Sequence, residues 1–150
     1  MEVINLFESD NYEYWLDKIK ESTWSAGFYL YNIIMDKSIF DLCGKDTMVM
    51  LLINKKELIS FCTLANLDDI QPTNLTLWIG FVYTFEKYRN NRYAGILIDE
   101  CCNIARKLNY EAVYISTNHM GLYEKYGFEF YQIMKDISGE DSKVYKRKLY

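Results

Sequence analysis

The stretch that decides the fold is residues 75–95, which read LTLWIGFVYTFEKYRNNRYAG. Its first ten residues, 75–84, are almost continuously apolar, and this pattern predicts a strand buried on both faces near the centre of a sheet. The second part, 86–95, is polar and basic. Beyond it, apolar residues recur with the period of an amphipathic helix. The apolar face of that helix consists of Ala94, Leu97, Ile98, Cys101, Ile104, Ala105 and Leu108.

The end of this helix is also marked in the sequence. Arg106 and Lys107 suit a helix C-terminus, and Asn109 can adopt the left-handed conformation that ends a helix. A short apolar strand is predicted over 112–116. Strand, helix and strand therefore form one crossover unit, which is right-handed and has parallel strands.

Further strands are predicted on both sides of this unit. Two apolar runs, 47–53 and 58–64, are joined by a polar turn and predict an antiparallel hairpin. The polar segment 66–74 contains the only proline and predicts a loop. Near the C-terminus, strands are predicted over 128–134 and 144–149, joined by an acidic loop.

The remaining segments favour helices. The spacing of apolar residues predicts a helix over 11–21, and shorter helices are predicted over 37–42 and 121–126. Residues 24–34 fit either a loop or a helix. We expect one mixed α/β domain over 1–150, in which helices flank a mixed, mostly antiparallel sheet that contains the parallel β-α-β unit.

The composition is that of an ordinary globular protein, with half of its 150 residues apolar and a quarter charged. The net charge of −4 argues against a nucleic-acid-binding surface. No apolar run reaches the roughly 18 residues that span a bilayer. The N-terminus has no basic segment of a signal peptide, so a cytoplasmic location without a membrane partner is predicted. Four cysteines without a C-x-x-C pair, and one histidine, predict buried free thiols rather than a metal site.

The basic turn 86–95 is the candidate functional segment. Backbone N–H groups at a helix start are unpaired and carry the positive end of the helix dipole, so a phosphate or pyrophosphate is a natural ligand there. Lys87, Arg89 and Arg92 add positive charge to an acidic chain. A solvated loop with ordinary surface arginines is the alternative interpretation.

This turn resembles a motif of the GNAT N-acetyltransferase superfamily. In the motif, an arginine or glutamine is followed by two residues, a glycine, one residue and then a glycine or alanine. The matching residues are Arg89-Asn90-Asn91-Arg92-Tyr93-Ala94, with Arg92 in place of the first glycine. A second segment, 121–128 (GLYEKYGF), is similar to the family's tyrosine-x-x-x-glycine-phenylalanine segment.

The resemblance covers about residues 47–134. It implies direct transfer of an acetyl group from acetyl-coenzyme A to an amine of a small molecule or peptide, within a ternary complex. Tyr123 is implied as the acid that protonates the departing thiolate. The implied cofactor-binding residues are Val82, Tyr83 and Thr84 for the pantetheine, and Arg89, Asn90, Asn91, Arg92, Tyr93, Ala94, Gly95 and Asn118 for the rest of the molecule.

The group that takes the proton from the amine is left open by the sequence. Asp68 and Asp69 in the loop before the central strand, and Glu57 on the hairpin, are candidates. Each also fits a solvated surface carboxylate, which is the more common case. His119 has no identifiable partner and is interpreted as a loop residue.

Two other questions have open alternatives. A noncatalytic acyl-coenzyme A-binding or interaction module on the same fold is the alternative function, since fold does not fix function. A nucleotide-binding protein is disfavoured because neither G-x-G-x-x-G nor G-x-x-x-x-G-K-[ST] occurs. The C-terminal hairpin offers an edge for a homodimer. Aromatic residues of the first third fit either the core, which is favoured, or the acceptor pocket; they are Trp15, Trp24, Phe28, Tyr29 and Tyr31.

Overall fold

A computed structural model describes residues 1–150, which form seven strands and four α-helices. Short 3-10 turns follow β1, precede α4 and precede β6. In chain order the elements are β1 (Glu2–Asn5), α1 (Tyr12–Lys20), α2 (Ser25–Met35), α3 (Ile39–Cys43), β2 (Met48–Asn54), β3 (Glu57–Ala65), β4 (Trp78–Thr84), α4 (Tyr93–Lys107), β5 (Ala112–Ser116), β6 (Glu129–Lys135) and β7 (Asp141–Lys148).

All seven strands belong to one sheet with the order β1-β2-β3-β4-β5-β7-β6. Every neighbouring pair is antiparallel except β4 and β5, which are parallel and are connected by α4. β4 is therefore the middle strand, as its continuous apolar sequence predicted. The mixed, mostly antiparallel sheet with one parallel β-α-β unit is confirmed.

Helices cover both faces of this sheet because side chains alternate between the faces along each strand. On β3, Phe61 points into the core beneath α1, α2 and α3, whereas Cys62 points into the core beneath α4. Leu97 and Cys101 on the apolar face of α4 are fully buried in the second of these cores. All four cysteines are buried and free, as predicted.

Several predicted boundaries differ from the structure. β4 begins at Trp78 rather than Leu75, and β7 begins at Asp141 because its polar first residues pair with β6. The helix predicted over 121–126 is only a 3-10 turn, Glu124–Tyr126, which ends at Gly127 in the left-handed region (φ 89°). β1 was not predicted from the sequence.

The undecided segment 24–34 is resolved as α2. Asn109 has a φ of 70° just beyond α4, which confirms the predicted left-handed residue. No helix of the chain combines the length and the apolar character needed to cross a bilayer.

Candidate active site

An irregularity in β4 shapes the centre of the sheet. In the ladder between β3 and β4, Thr63 lies opposite Gly80 and Phe61 lies opposite Tyr83, so two residues of β4 share the space of one on β3. One of the two, Phe81, has a φ of 51°, a left-handed conformation that bulky residues rarely adopt. Such a bulge bends and twists a strand. The bulge therefore redirects the last residues of β4.

The parallel strands β4 and β5 pair only at Trp78 and Tyr114. Beyond that pair they diverge, and a cleft of about 970 Å³ opens between their C-terminal ends. On the side away from β3, this end of β4 has no neighbouring strand, so its backbone is open to a ligand that adds like a strand. The residues of the two strands and of the connection after β5 that line the cleft are Val82, Tyr83, Thr84, Ile115, Ser116 and Thr117.

The N-terminus of α4 meets the same cleft. Tyr93 and Ala94 of its first turn line the cleft, and no side chain caps the N–H groups of that turn. Unpaired N–H groups and the positive end of the dipole favour a bound anion. The residue before the helix, Arg92, has a φ of 58° and so adopts the left-handed conformation that favours glycine, at a cost of about 1–2 kcal/mol.

Side chains of the turn itself hold it against β4. Arg89 donates a hydrogen bond from Nε to the carbonyl oxygen of Thr84 (2.8 Å), and its guanidinium lies over the Tyr83 ring at 5.3 Å. Asn91 donates from Nδ2 to the carbonyl oxygens of Tyr88 and Arg89, each at 3.1 Å. Contacts within the chain therefore hold the turn in place at the end of β4.

Arg92 connects the turn to the segment after β5. Its guanidinium donates to the carbonyl oxygen of Lys125 (3.2 Å) and lies over the Tyr126 ring at 5.3 Å. A Cβ on Gly95 would lie 2.8 Å from Cε1 of that ring. Gly95 is therefore required for the close packing of α4 on Tyr126.

Tyr123 lies at the inner wall of the cleft. Its side chain is 8% exposed, and its ring packs edge-on against Phe128 with 6.1 Å between centroids. Burial raises the pKa of the Tyr123 phenol well above its usual range, and the neighbouring Cys62 and Tyr126 act in the same direction. The phenol therefore stays protonated at neutral pH and can donate a proton.

Asp68 and Asp69 are not solvated surface carboxylates. Both are only partly exposed and line the cleft, so the more common interpretation of these two residues was wrong. A Cβ on Gly80 would meet the Asp68 carboxyl, with Cγ only 2.9 Å away. The absence of a side chain at Gly80 makes room for that carboxyl above β4. Oδ1 of Asp69 is buried and has no hydrogen-bond partner.

Asp69 opposes the ionisation of Asp68, whereas a hydrogen bond from the Asp68 carboxyl favours the ionised form of Asp69. Burial, and then the neighbouring Asp69, raise the pKa of Asp68 to about 7. Burial also raises the pKa of Asp69, a hydrogen bond from Ser116 lowers it, and the charge of Asp136 raises it. None of the chain's salt bridges involves either residue. Hydrogen bonds from Ser116 and Asp68, rather than a cationic side chain, therefore support the ionised form of Asp69.

Asp68→Asn should stabilise the protein at high pH. The unfolded Asp68 ionises near 3.8 and the folded one near 7. The folded state therefore binds the extra proton between these values, and stability falls as the pH rises through this window. At about pH 8 asparagine removes a buried charge, and we expect the free energy of unfolding to increase by about 1–3 kcal/mol. Below about pH 4 this gain should disappear.

Urea denaturation at both pH values measures this effect. Asp10→Asn, on an exposed turn before α1, is the matched control and should change neither value. A variant of Asp68 that is no more stable than the wild type at high pH would contradict a buried acidic pair.

The structure brings together most of the residues predicted for the site. Asn91 and Gly95 do not line the cleft. Asn91 holds the turn before α4 by hydrogen bonds, and Gly95 allows α4 to pack closely on Tyr126. Asn118 lies between two residues that line the cleft but does not line it itself. The Glu57 carboxylate accepts hydrogen bonds from Lys87 and Tyr88 on the outer surface and is not part of the cleft. The predicted residues that do line the cleft are Val82, Tyr83, Thr84, Arg89, Asn90, Arg92, Tyr93, Ala94 and Tyr123.

Two features of the site were missed. Trp24 lines the cleft, although the core was favoured for it, whereas Trp15 is buried in the core as expected. The position of Asp68 above β4 had one signal in the sequence, which is Gly80. A glycine inside a strand often marks a site where another group lies close to the strand backbone. The bulge at Phe81 had none.

The fold and these motifs agree with a known family. The sequence model of the acetyltransferase (GNAT) family matches residues 6–128. The chain belongs to this family. The GNAT chain therefore carries an acetyltransferase domain, and its cleft is the place where the family's two motif segments meet. No curated protein sequence matches it.

Solved structures of acetyltransferases share its fold at low sequence identity. The aminoglycoside 6'-N-acetyltransferase from Enterococcus faecium has a TM-score of 0.73 and 10% identity, with 100% of this chain and 98% of that chain covered. A GNAT acetyltransferase from Elizabethkingia anophelis with acetyl-CoA bound has a TM-score of 0.67 and 17% identity, covering 98% and 97%. A GNAT acetyltransferase from Staphylococcus aureus Mu50 has a TM-score of 0.64 and 17% identity, covering 99% of both chains.

Proposed function

We propose that this protein transfers the acetyl group of acetyl-coenzyme A directly to a primary amine of a small molecule or peptide. The observation that carries the proposal is that one cleft combines an open strand end, an uncapped helix N-terminus and a protonated phenol. The family and the acetyl-CoA-bound neighbour support the donor. Neighbours that act on aminoglycosides support a small-molecule amine as acceptor.

The residues of the cleft fit the pyrophosphate and the pantetheine of the donor. The pyrophosphate accepts hydrogen bonds from the first-turn N–H groups of α4, at Tyr93 and Ala94, while Arg89 and Arg92 supply positive charge. The pantetheine lies along residues 82–84 as an added strand. Asn90, Asn91, Gly95 and Asn118 stay predicted parts of the same binding region.

Tyr123 completes the chemistry of the donor. The amine attacks the thioester carbonyl, a C–N bond forms and the C–S bond breaks. The phenol of Tyr123 gives its proton to the sulfur of the leaving group as the C–S bond breaks. This donation prevents expulsion of a bare thiolate into the buried wall of the cleft. An N–H group of β4 stabilises the developing oxyanion.

Calorimetry with acetyl-coenzyme A tests the donor site. We expect the wild type to bind it, and Ala94→Asp to weaken binding by at least about tenfold because it places a carboxylate beside the pyrophosphate. Asn103→Asp adds the same charge at an exposed position in the C-terminal half of the same helix and is the matched control. Equal affinities of the two variants would contradict a pyrophosphate at the start of α4.

Thiol release with a panel of amines tests the transfer itself. Release that depends on an amine supports the enzyme, whereas binding without release across the panel favours a noncatalytic module. A homodimer and a cytoplasmic location stay predictions of the sequence, as do a single domain over the whole chain and the absence of nucleic-acid and membrane partners.

A further inference from the structure

Three aromatic side chains line the cleft on the side of α2. They are Trp24, Phe81 and Tyr83, and together they are called the aromatic wall. The Trp24 and Tyr83 rings are stacked, with 5.4 Å between centroids and 8° between ring planes, and Phe81 lies edge-on to Trp24 at 6.4 Å. Trp24 and Phe81 are only half-buried, so part of each ring is open to a ligand.

The bulge in β4 turns Phe81 towards this wall. Ile79 packs in the core beneath α4, whereas Phe81, two residues later, packs against the core beneath α1, α2 and α3. In a regular strand these two side chains would share a face. The left-handed backbone of Phe81 accompanies the change of face, and strain of this kind is typical of functional sites. The strained residue therefore indicates a binding role for its ring.

Neighbouring side chains fix the wall beside the donor site. Tyr29 of α2 stacks on Phe81 with 6.3 Å between centroids. The fully buried Phe61 packs against Tyr83 at 5.3 Å. The Arg89 guanidinium lies over the Tyr83 ring, so the wall is continuous with the basic turn. Because Tyr83 also belongs to the strand end proposed to hold the pantetheine, a ligand on the wall lies next to the donor.

The chemistry of the wall favours a flat apolar ring over a hydroxylated one. Aromatic rings pack on each other in offset or edge-on arrangements, which add to the gain from burying apolar surface. A hydroxyl group that leaves water needs a hydrogen-bond partner, and the wall consists mainly of hydrocarbon. The basic side chains of the cleft come from the turn before α4 and from the segment after β5, where the phosphates of the donor are proposed to bind.

We propose that the aromatic wall binds the acceptor through a planar aromatic group, so that the preferred acceptor is an amine that carries an aromatic ring. This inference rests on the proposed function and names the substrate class for it. The class differs from the aminoglycosides that are named for two of the structural neighbours. The donor site and the role of Tyr123 do not depend on it.

Binding of three amines to the protein saturated with coenzyme A tests the wall without turnover. 2-Phenylethylamine has a planar ring, 2-cyclohexylethylamine has the same number of non-hydrogen atoms in a puckered one, and glucosamine is hydroxylated. At about pH 6 all three are ammonium ions, so charge does not decide the order. We expect calorimetry to show that the wild type binds the phenyl compound at least about threefold more tightly than the cyclohexyl compound, and at least about tenfold more tightly than glucosamine.

A substitution at Trp24 tests whether the ring itself is responsible. Trp24→Leu keeps an apolar side chain before α2 but removes the stacking face, so the preference for phenyl over cyclohexyl should be lost. Phe28→Leu is the matched control, because the Phe28 ring is exposed on α2 and does not line the cleft; it should keep the preference. The affinity for coenzyme A serves as the control for folding in both variants.

Tryptophan fluorescence gives a second measurement that needs no variant. Trp15 and Trp78 are 4% and 0% exposed, so quenching by acrylamide reports mainly on Trp24. Saturating 2-phenylethylamine should protect this fluorescence from the quencher, whereas glucosamine at the same concentration should not.

Three results would overturn the inference and leave the donor site standing. They are a wild type that binds either of the other amines as tightly as 2-phenylethylamine, a Trp24 variant that keeps the preference, and a Trp24 that 2-phenylethylamine does not protect. Failure of the wild type to bind coenzyme A would overturn the proposed function itself.

Discussion

Tyr123→Phe should reduce turnover by about 10²- to 10⁴-fold, the range that general acid catalysis contributes. The substitution removes only the hydroxyl and keeps the ring, which packs against Phe128 at 6.1 Å. Burial holds the pKa of the phenol high, so it is the protonated form that is lost at neutral pH. Because the ring keeps its contacts, the affinity for acetyl-coenzyme A should change by less than about twofold.

Steady-state rates of thiol release and calorimetric titration measure the two quantities separately. Tyr131→Phe, on the exposed strand β6, is the matched control and should alter neither. Unchanged turnover in the Tyr123 variant would remove this residue from the mechanism. A large loss of donor affinity would instead assign it a binding role.

Phe61→Ala should lower the free energy of unfolding by about 3–5 kcal/mol, which is typical of truncating a buried phenylalanine. Phe61 is 0% exposed, and its ring packs against the rings of three other aromatic residues. Its ring centroid lies 5.3 Å from that of Tyr83, 6.3 Å from that of Phe85 and 6.4 Å from that of Trp24. Alanine leaves a cavity among rings that cannot close in without losing their contacts on β4.

Urea denaturation at neutral pH measures this loss. Phe28→Ala is the matched control because its side chain is 51% exposed on α2, and it should stay within about 0.5 kcal/mol of the wild type. If Phe61→Ala lowers the free energy of unfolding by less than about 1 kcal/mol, the packing of these aromatic rings does not depend on Phe61. The two predictions are independent, since one concerns a proton and the other concerns packing.

The two motif segments that the sequence singled out both reach the cleft, and the topology of the sheet explains why. The segments 89–95 and 121–128 are about 30 residues apart in sequence and meet because α4 carries the chain back across the sheet to a parallel strand. Arg92 shows the limit of this agreement. A side chain stands where glycine is usual, and the structure compensates by binding its guanidinium to Lys125 and stacking it on Tyr126.

The sequence by itself determined the elements whose signals are local. The apolar period of α4, the uninterrupted apolar run of β4 and the polar turn between β2 and β3 all follow from side-chain spacing within a few residues. These elements suffice for the parallel unit and for the basic turn at the start of α4. They also suffice to place Tyr123 after β5, where the chain returns to the cleft.

Only the tertiary structure decided what surrounds the reacting groups. Two adjacent aspartates in a polar loop have the sequence of a surface segment, but the carboxyl group of Asp68 lies above β4 because Gly80, near the middle of the chain, leaves space there. The bulge at Phe81 and the short strand β1 likewise depend on partners far along the chain. Burial and pKa are properties of the whole set of neighbours, so no local pattern encodes them.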